Sequence, residues 1–179
     1  MKRTFENPLI GDTVHFTKFA HEPGGSATII DVELKPGGGN GLHFHKTMAE
    51  QFECLEGIVS IQVGKLVRQL KPGETATAPA GSLHRFFNAS AEPAKFRVTI
   101  DPGHVGFEHT LKIAYGLAAD GLMTKSGMPK KLWHMGTLIR LSDTNVPGLF
   151  SLLQRPMAWL AQRALDDGRY EKELKPYTD

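Results

Sequence analysis

The chain has 179 residues and a net charge of +2, from 21 basic and 19 acidic side chains. Near-neutral charge with scattered basic residues gives no electrostatic footprint for nucleic acid or an anionic membrane, and this length supports one main domain with a real core. Cys54 is the only cysteine, which excludes an intrachain disulfide; Met1 to Pro8 lacks the apolar region of a signal peptide and no run reaches membrane-spanning length, so a cytoplasmic protein is expected.

In chain order, residues 27–34 form the first strand-like run, alternating toward Val32 and Leu34. Pro36 to Gly41 is a glycine-rich turn. Residues 50–56 alternate again, with Phe52 and Cys54 on the face of Glu50. Residues 58–70 read as a hairpin turning at Gly64-Lys65, with Val59, Ile61 and Val63 on one face. Residues 75–78 and 96–100 complete a set of short strands separated by turn signals, a pattern that indicates a β-sandwich or barrel over about residues 27–103.

Near residue 105 the pattern changes. Phe107, Leu111 and Tyr115 recur at helical spacing and end at Asp120-Gly121, a good C-cap. A second helix is expected from Lys130 to Leu141, after Pro129. Pro147 to Asp167 carries Leu149, Phe150, Leu152, Leu153, Met157, Trp159, Leu160, Ala164 and Leu165; Pro156 breaks this region or starts its second helix, and Gly168 stops it. The reading is a barrel domain over 1–105 with an N-terminal arm, and a helical extension over 106–179. So apolar an extension must pack on the barrel, cap its mouth or form a contact between subunits.

The chemistry-bearing residues fall in two blocks, Gly37-x5-His43-x-His45-x4-Glu50-x6-Gly57 and Gly73-x5-Pro79-x-Gly81-x2-His84-x3-Asn88. Residues two apart on a strand share a face, so His43 and His45 can reach one ion side by side. Glu50 follows a short turn, and His84 lies on the later run from Leu83 to Phe87. Three imidazoles and one carboxylate suit one divalent transition metal, Fe, Mn, Zn, Ni or Co. The other histidines, His15, His21, His104, His109 and His134, have no partner at ligand spacing.

These two blocks resemble the paired signature motifs of the cupin superfamily at every signature position, over about Asp31 to Pro102. The resemblance implies a mainly β fold, a double-stranded β-helix or jelly-roll barrel, with His43, His45, Glu50 and His84 as metal ligands. Phe52, Cys54 and Phe86 share the parity of ligands on their own strands and are expected to line the cavity. Cys54 beside a redox metal is similar to the thiol of thiol-oxidising cupins, although a small buried cysteine is more often an ordinary packing residue. Arg85 and Arg97 have the opposite parity and are expected outside the barrel. Asn88 is expected to serve the turn after the motif or to support a ligand.

Two function classes follow. One is a metal-dependent enzyme on an unknown small molecule, of the dioxygenase type ahead of the isomerase type. The other is a non-catalytic cupin that binds a small ligand. A transcription-factor role has no helix-turn-helix signature behind it. Small cupins pair through barrel edges, and the extension adds Trp133, Phe150, Met157, Trp159 and Leu160, so a homodimer is expected.

Overall fold

A computed structural model describes residues 2–24, 26–148, 152 and 154–178. Eleven described strands, all in antiparallel pairs, are followed or accompanied by four helices. The larger sheet has six strands in the order β1 (Thr4–Asn7), β2 (Asp12–Lys18), β3 (Thr28–Leu34), β10 (Ala94–Asp101), β5 (Ala49–Glu56), β8 (Thr75–Ala78). A three-stranded sheet runs β7 (Leu66–Leu70), β6 (Val59–Val63), β9 (His84–Phe87). The hairpin between β6 and β7 turns at Gly64-Lys65, as its spacing predicts.

The sheets face each other because their strands alternate. On β3, Thr28, Ile30, Val32 and Leu34 point inward; on β10, Ala94, Phe96, Val98 and Ile100 do; on β5, Glu50, Phe52 and Cys54 do. Fully burying each large aliphatic or aromatic group contributes about 1.5–3 kcal/mol. The outward partners are polar: Arg97 makes a two-pronged pair with Asp31 at 2.8 and 3.0 Å, and Arg85 donates to Gln62. Both arginines are therefore outside, where parity puts them.

Strand structure begins earlier than the sequence pattern predicts. Residues 4–18 form a hairpin that pairs with β3 and extends the large sheet by two strands. Val14 and Phe16 face inward on β2, and so does Asp12.

The extension folds back on the barrel. Helix α1 (Val105–Ala119) starts at His104, whose Nδ1 accepts from the Phe107 amide. In its first turn Glu108, fully buried, accepts from the Ala20 amide at 2.7 Å and the Thr28 hydroxyl at 2.6 Å, which pins the helix to the sheet. Two faces of α1 are apolar. Phe107, Leu111 and Tyr115 pack into the barrel core, while Ile113 and Leu117 join Trp133, Leu138, Ala164 and Leu174 in a second, smaller core. That core includes α2 (Leu132–Ser142), α3 (Gln154–Asp166) and the residue after α4 (Arg169–Glu173). Gly136 of α2 lies so close to the Met157 carbonyl of α3 that a Cβ has no room there.

Pro156 lies in the first turn of α3, the position that tolerates proline. Leu149, Phe150 and Leu153 lie outside the described residues. Trp133 and Met157 are covered within the chain itself, whereas Leu132 and Trp159 remain exposed at 67% and 58%. No described helix is long and apolar enough to cross a membrane.

Candidate metal centre

The four expected ligands come together in space. One donor atom from each of His43, His45, Glu50 and His84 lies within 4.8 Å of the others. Donors bound to one ion at about 2.1 Å each lie within about 4.2 Å of one another, so side-chain shifts of a few tenths of an ångström bring the cluster to the span of a single site. His45 stands on β4 (Phe44–His45), Glu50 on β5 and His84 at the start of β9. His43 and His84 are tied by a bridge of two backbone hydrogen bonds, at 3.0 and 2.8 Å. The turn before His84 needs Gly81, at φ +80°, and its amide donates to the His45 carbonyl at 2.6 Å.

Hydrogen bonds fix which ring nitrogens are free. His43 Nδ1 lies 2.8 Å from the Gly41 carbonyl and His84 Nδ1 lies 2.9 Å from the Ser82 carbonyl. A carbonyl only accepts, so each Nδ1 carries the hydrogen and each Nε2 presents a lone pair. His45 Nε2 and His84 Nε2 sit 3.3 Å from the two Glu50 oxygens. Both contacts are too poorly formed to count as hydrogen bonds, and among the described residues these nitrogens stay buried and unpartnered, as does His45 Nδ1. Orphaned lone pairs facing a buried carboxylate are costly unless something positive lies between them. The residues present therefore fit a divalent cation.

Glu50 and the imidazoles set one another's ionisation. Burial pushes His43 down to about 4, against the attraction of Glu50, so its imidazole is neutral at pH 7. Burial works to raise Glu50, but His45 and His84 outweigh it and hold the carboxyl well below its usual range. Burial works to lower His84, and the Glu50 carboxylate overrides it, raising its pKa.

His43 and Glu50 border a cavity of about 500 Å³. Its walls are mostly apolar: Val32, Phe86 and Val98 from the barrel, Phe107 and Leu111 from α1. Of the three residues expected to line it, Phe86 does. Phe52 and Cys54 do not border it, which corrects that expectation. Phe52 packs among the rings of His84, Phe86 and Phe96, and the Cys54 thiol points to the carbonyls of Glu56 and Gly57. Parity placed both on the inward face, but the cavity occupies only part of the barrel's depth. Asn88 serves the turn, bonding Leu34, Ser90 and Glu92.

Three features at the site escaped the sequence reading. Asp12 and Tyr115 share the cavity wall and hydrogen-bond to each other at 2.6 Å. Asp12 is signalled only by its parity with Val14 and Phe16, and Tyr115 only by its helical spacing. The third is a strap. Strand β11 (Thr144–Asn145) pairs with β4, placing Thr144 opposite His45. Beside it Asp143, at φ +53°, accepts from the Lys46 and Thr47 amides and the Thr47 hydroxyl at 2.8–2.9 Å. The extension thus holds the short turn between His45 and Glu50.

A family model for the Cupin domain matches residues 30–101. Among solved structures, a cupin-2 domain protein from Rhodospirillum rubrum is 24% identical over 50% of this chain and 59% of its own, with a TM-score of 0.46. A sugar phosphate isomerase of the cupin superfamily from Silicibacter pomeroyi is 26% identical, over 51% of this chain and 60% of its own, with a TM-score of 0.45. An RmlC-like cupin from Shewanella frigidimarina is 17% identical, over 57% of this chain and 86% of its own, with a TM-score of 0.49. The chain thus spans about three fifths of the first two proteins. No curated protein matches it.

Proposed function

This chain belongs to the cupin superfamily, and on that premise we propose that it is a metal-dependent enzyme, of the dioxygenase type, acting on a small organic molecule in the barrel cavity. One observation carries the reading: three imidazoles and a carboxylate converge where a half-open, mostly apolar cavity begins. A structural metal site is closed by its protein ligands, whereas this one borders space that a substrate can fill.

A divalent ion held there supplies Lewis-acid polarisation of a substrate oxygen or, when redox-active, electron exchange with dioxygen. The chain's own residues do the rest. His43 and Glu50 face the cavity and orient the site toward it. Phe86, Phe107 and Leu111 exclude water and position an apolar substrate. An apolar wall favours oxidation of such a substrate over isomerisation of a polyhydroxylated one, which needs many polar partners. The assembly we propose is a homodimer in the cytoplasm, with exposed Leu132 and Trp159 as the apolar surface available to a contact.

The test is oxygen uptake by the Fe(II)-reconstituted protein across a panel of aromatic diols and β-dicarbonyl compounds. Uptake above that of His43→Ala/His84→Ala supports the reading. Equal rates in both proteins on every compound, with substrate bound by the parent, would leave a non-catalytic binding protein.

A further inference from the structure

The part of the cavity wall outside the metal ligands has its own chemistry. No Lys or Arg is among the described residues that border it, and its acidic groups are Asp12 and Glu50. A phosphate or carboxylate ligand would meet two carboxyls and no cation except the metal. A cationic ligand would be repelled by that metal and would surrender its hydration to an apolar wall. Asp12 adds a directional signal. It is buried, at 2% exposure, and Tyr115 from α1 donates to its Oδ2 at 2.6 Å. Among the described residues its Oδ1 is buried and has no hydrogen-bond partner. A buried acceptor left unmade costs stability, and a ligand donor is the group that would redeem it.

We propose that the cavity takes an uncharged, largely apolar molecule bearing a hydroxyl group, and that Asp12, clamped by Tyr115, is the residue that selects the hydroxyl. The proposal rests on the reading of this cavity as the substrate site. Asp12 lies on β2 and Tyr115 on α1, both outside residues 30–101, so specificity is set by segments flanking the shared barrel. The site takes a hydroxyl because the free oxygen can only accept once the carboxyl is ionised. Burial raises Asp12 to about 6, so at pH 7.5 the carboxylate dominates.

Four probes with one ring system test this: 1-naphthol, 1-methoxynaphthalene, 1-naphthyl phosphate and 1-naphthylmethylamine. Binding is measured calorimetrically at pH 7.5, on metal-loaded and metal-stripped protein. The expected order is 1-naphthol tightest, by about tenfold over each of the others, the scale of one hydrogen bond to a charged acceptor. Leu111→Trp fills the cavity and abolishes binding. Asp12→Asn keeps an acceptor for Tyr115 but turns the free atom into a donor, so the preference for 1-naphthol over its methyl ether disappears. Tyr115→Phe frees the clamp and weakens the same preference, which keeps the test intact if Asp12→Asn does not fold. Equal or tighter binding of the phosphate or amine overturns the proposal. So does an unchanged preference in the folded variants, or no saturable binding of 1-naphthol. Binding is read without turnover, so a protein that selects 1-naphthol but oxidises nothing keeps this inference and loses the enzymatic reading.

Discussion

Two parts of one cavity wall differ in almost every respect. The ligand-bearing part presents His43 and Glu50 to the cavity, is backed by β4, β5 and β9, and lies inside the segment matched by the family model. The part made by β2 and α1 is apolar apart from Asp12, Thr110 and Tyr115, and lies outside that segment. The first has the donor set for an ion and the second has the shape and polarity to choose a molecule. The lesson is that a chemistry and its selectivity can sit on different pieces of one chain, with the helical extension serving the second.

The largest effect should come from the ligand-bearing part. Glu50→Gln removes the one formal negative charge among the four donors. Metal affinity should fall on the order of a thousandfold, beyond the roughly 10–100-fold cost of losing a group that only supports a ligand. Titration of the metal-stripped protein with Mn(II) or Ni(II) measures it. An affinity within a few fold of the parent would remove Glu50 from the site.

The β2–α1 part should respond to pH instead. Asp12 titrates near 6 in the folded chain against an ordinary value of 3.8. Between those values the folded state holds a proton that the unfolded state has lost. Asp12 therefore makes stability fall as pH rises through this window, and the cost of its buried carboxylate is fully present above about pH 7. Asp12→Asn does not titrate. Relative to that variant, the parent should lose about 2–3 kcal/mol between pH 4 and pH 7. Urea melts of both proteins at the two pH values read the difference directly, and a pH-independent difference would contradict the burial of an ionising Asp12.

The strap couples the extension to the ligands, and its effect should be smaller. Asp143→Ala removes three hydrogen bonds from the turn between His45 and Glu50. Metal affinity should drop by about tenfold, as for groups that orient ligands rather than bind. Asp143→Asn keeps an acceptor and should recover part of it. A loss of stability with unchanged metal affinity would make the strap purely structural. Smaller still, Trp159→Ser should leave the stability of one chain nearly unchanged while shifting any dimer toward monomer. Light scattering across a dilution series reads this, and a parent mass near one chain at micromolar concentration would defeat the dimer.

The same division governs how much could be read from sequence. The ligand cluster was legible because metal chemistry restricts residue types and the β repeat restricts spacing; His43, His45, Glu50 and His84 satisfy both. Phe52 and Cys54 show the limit of parity, which gives the face of a strand but not the depth of a cavity. The helix through Phe107, Leu111 and Tyr115 was legible from its period, yet its two apolar faces, one on the barrel and one on the second core, were not separable. Asp12 was hidden because Tyr115, which donates to its carboxylate, is 103 residues away. Strand β11 has two residues and exists only through its pairing with β4, so no local pattern announces it.

The central claim, that one divalent metal is held by His43, His45, Glu50 and His84, is tested most directly by elemental analysis. Protein purified without added metal is compared with His45→Ala/His84→Ala, with circular dichroism confirming that the variant is folded. The parent should carry about one equivalent of a first-row divalent metal per chain, or take up that amount when Mn, Fe, Co, Ni or Zn is supplied, and the variant under about a tenth of an equivalent. A folded variant that still carries one equivalent, or a parent that takes up none of these ions, would contradict it.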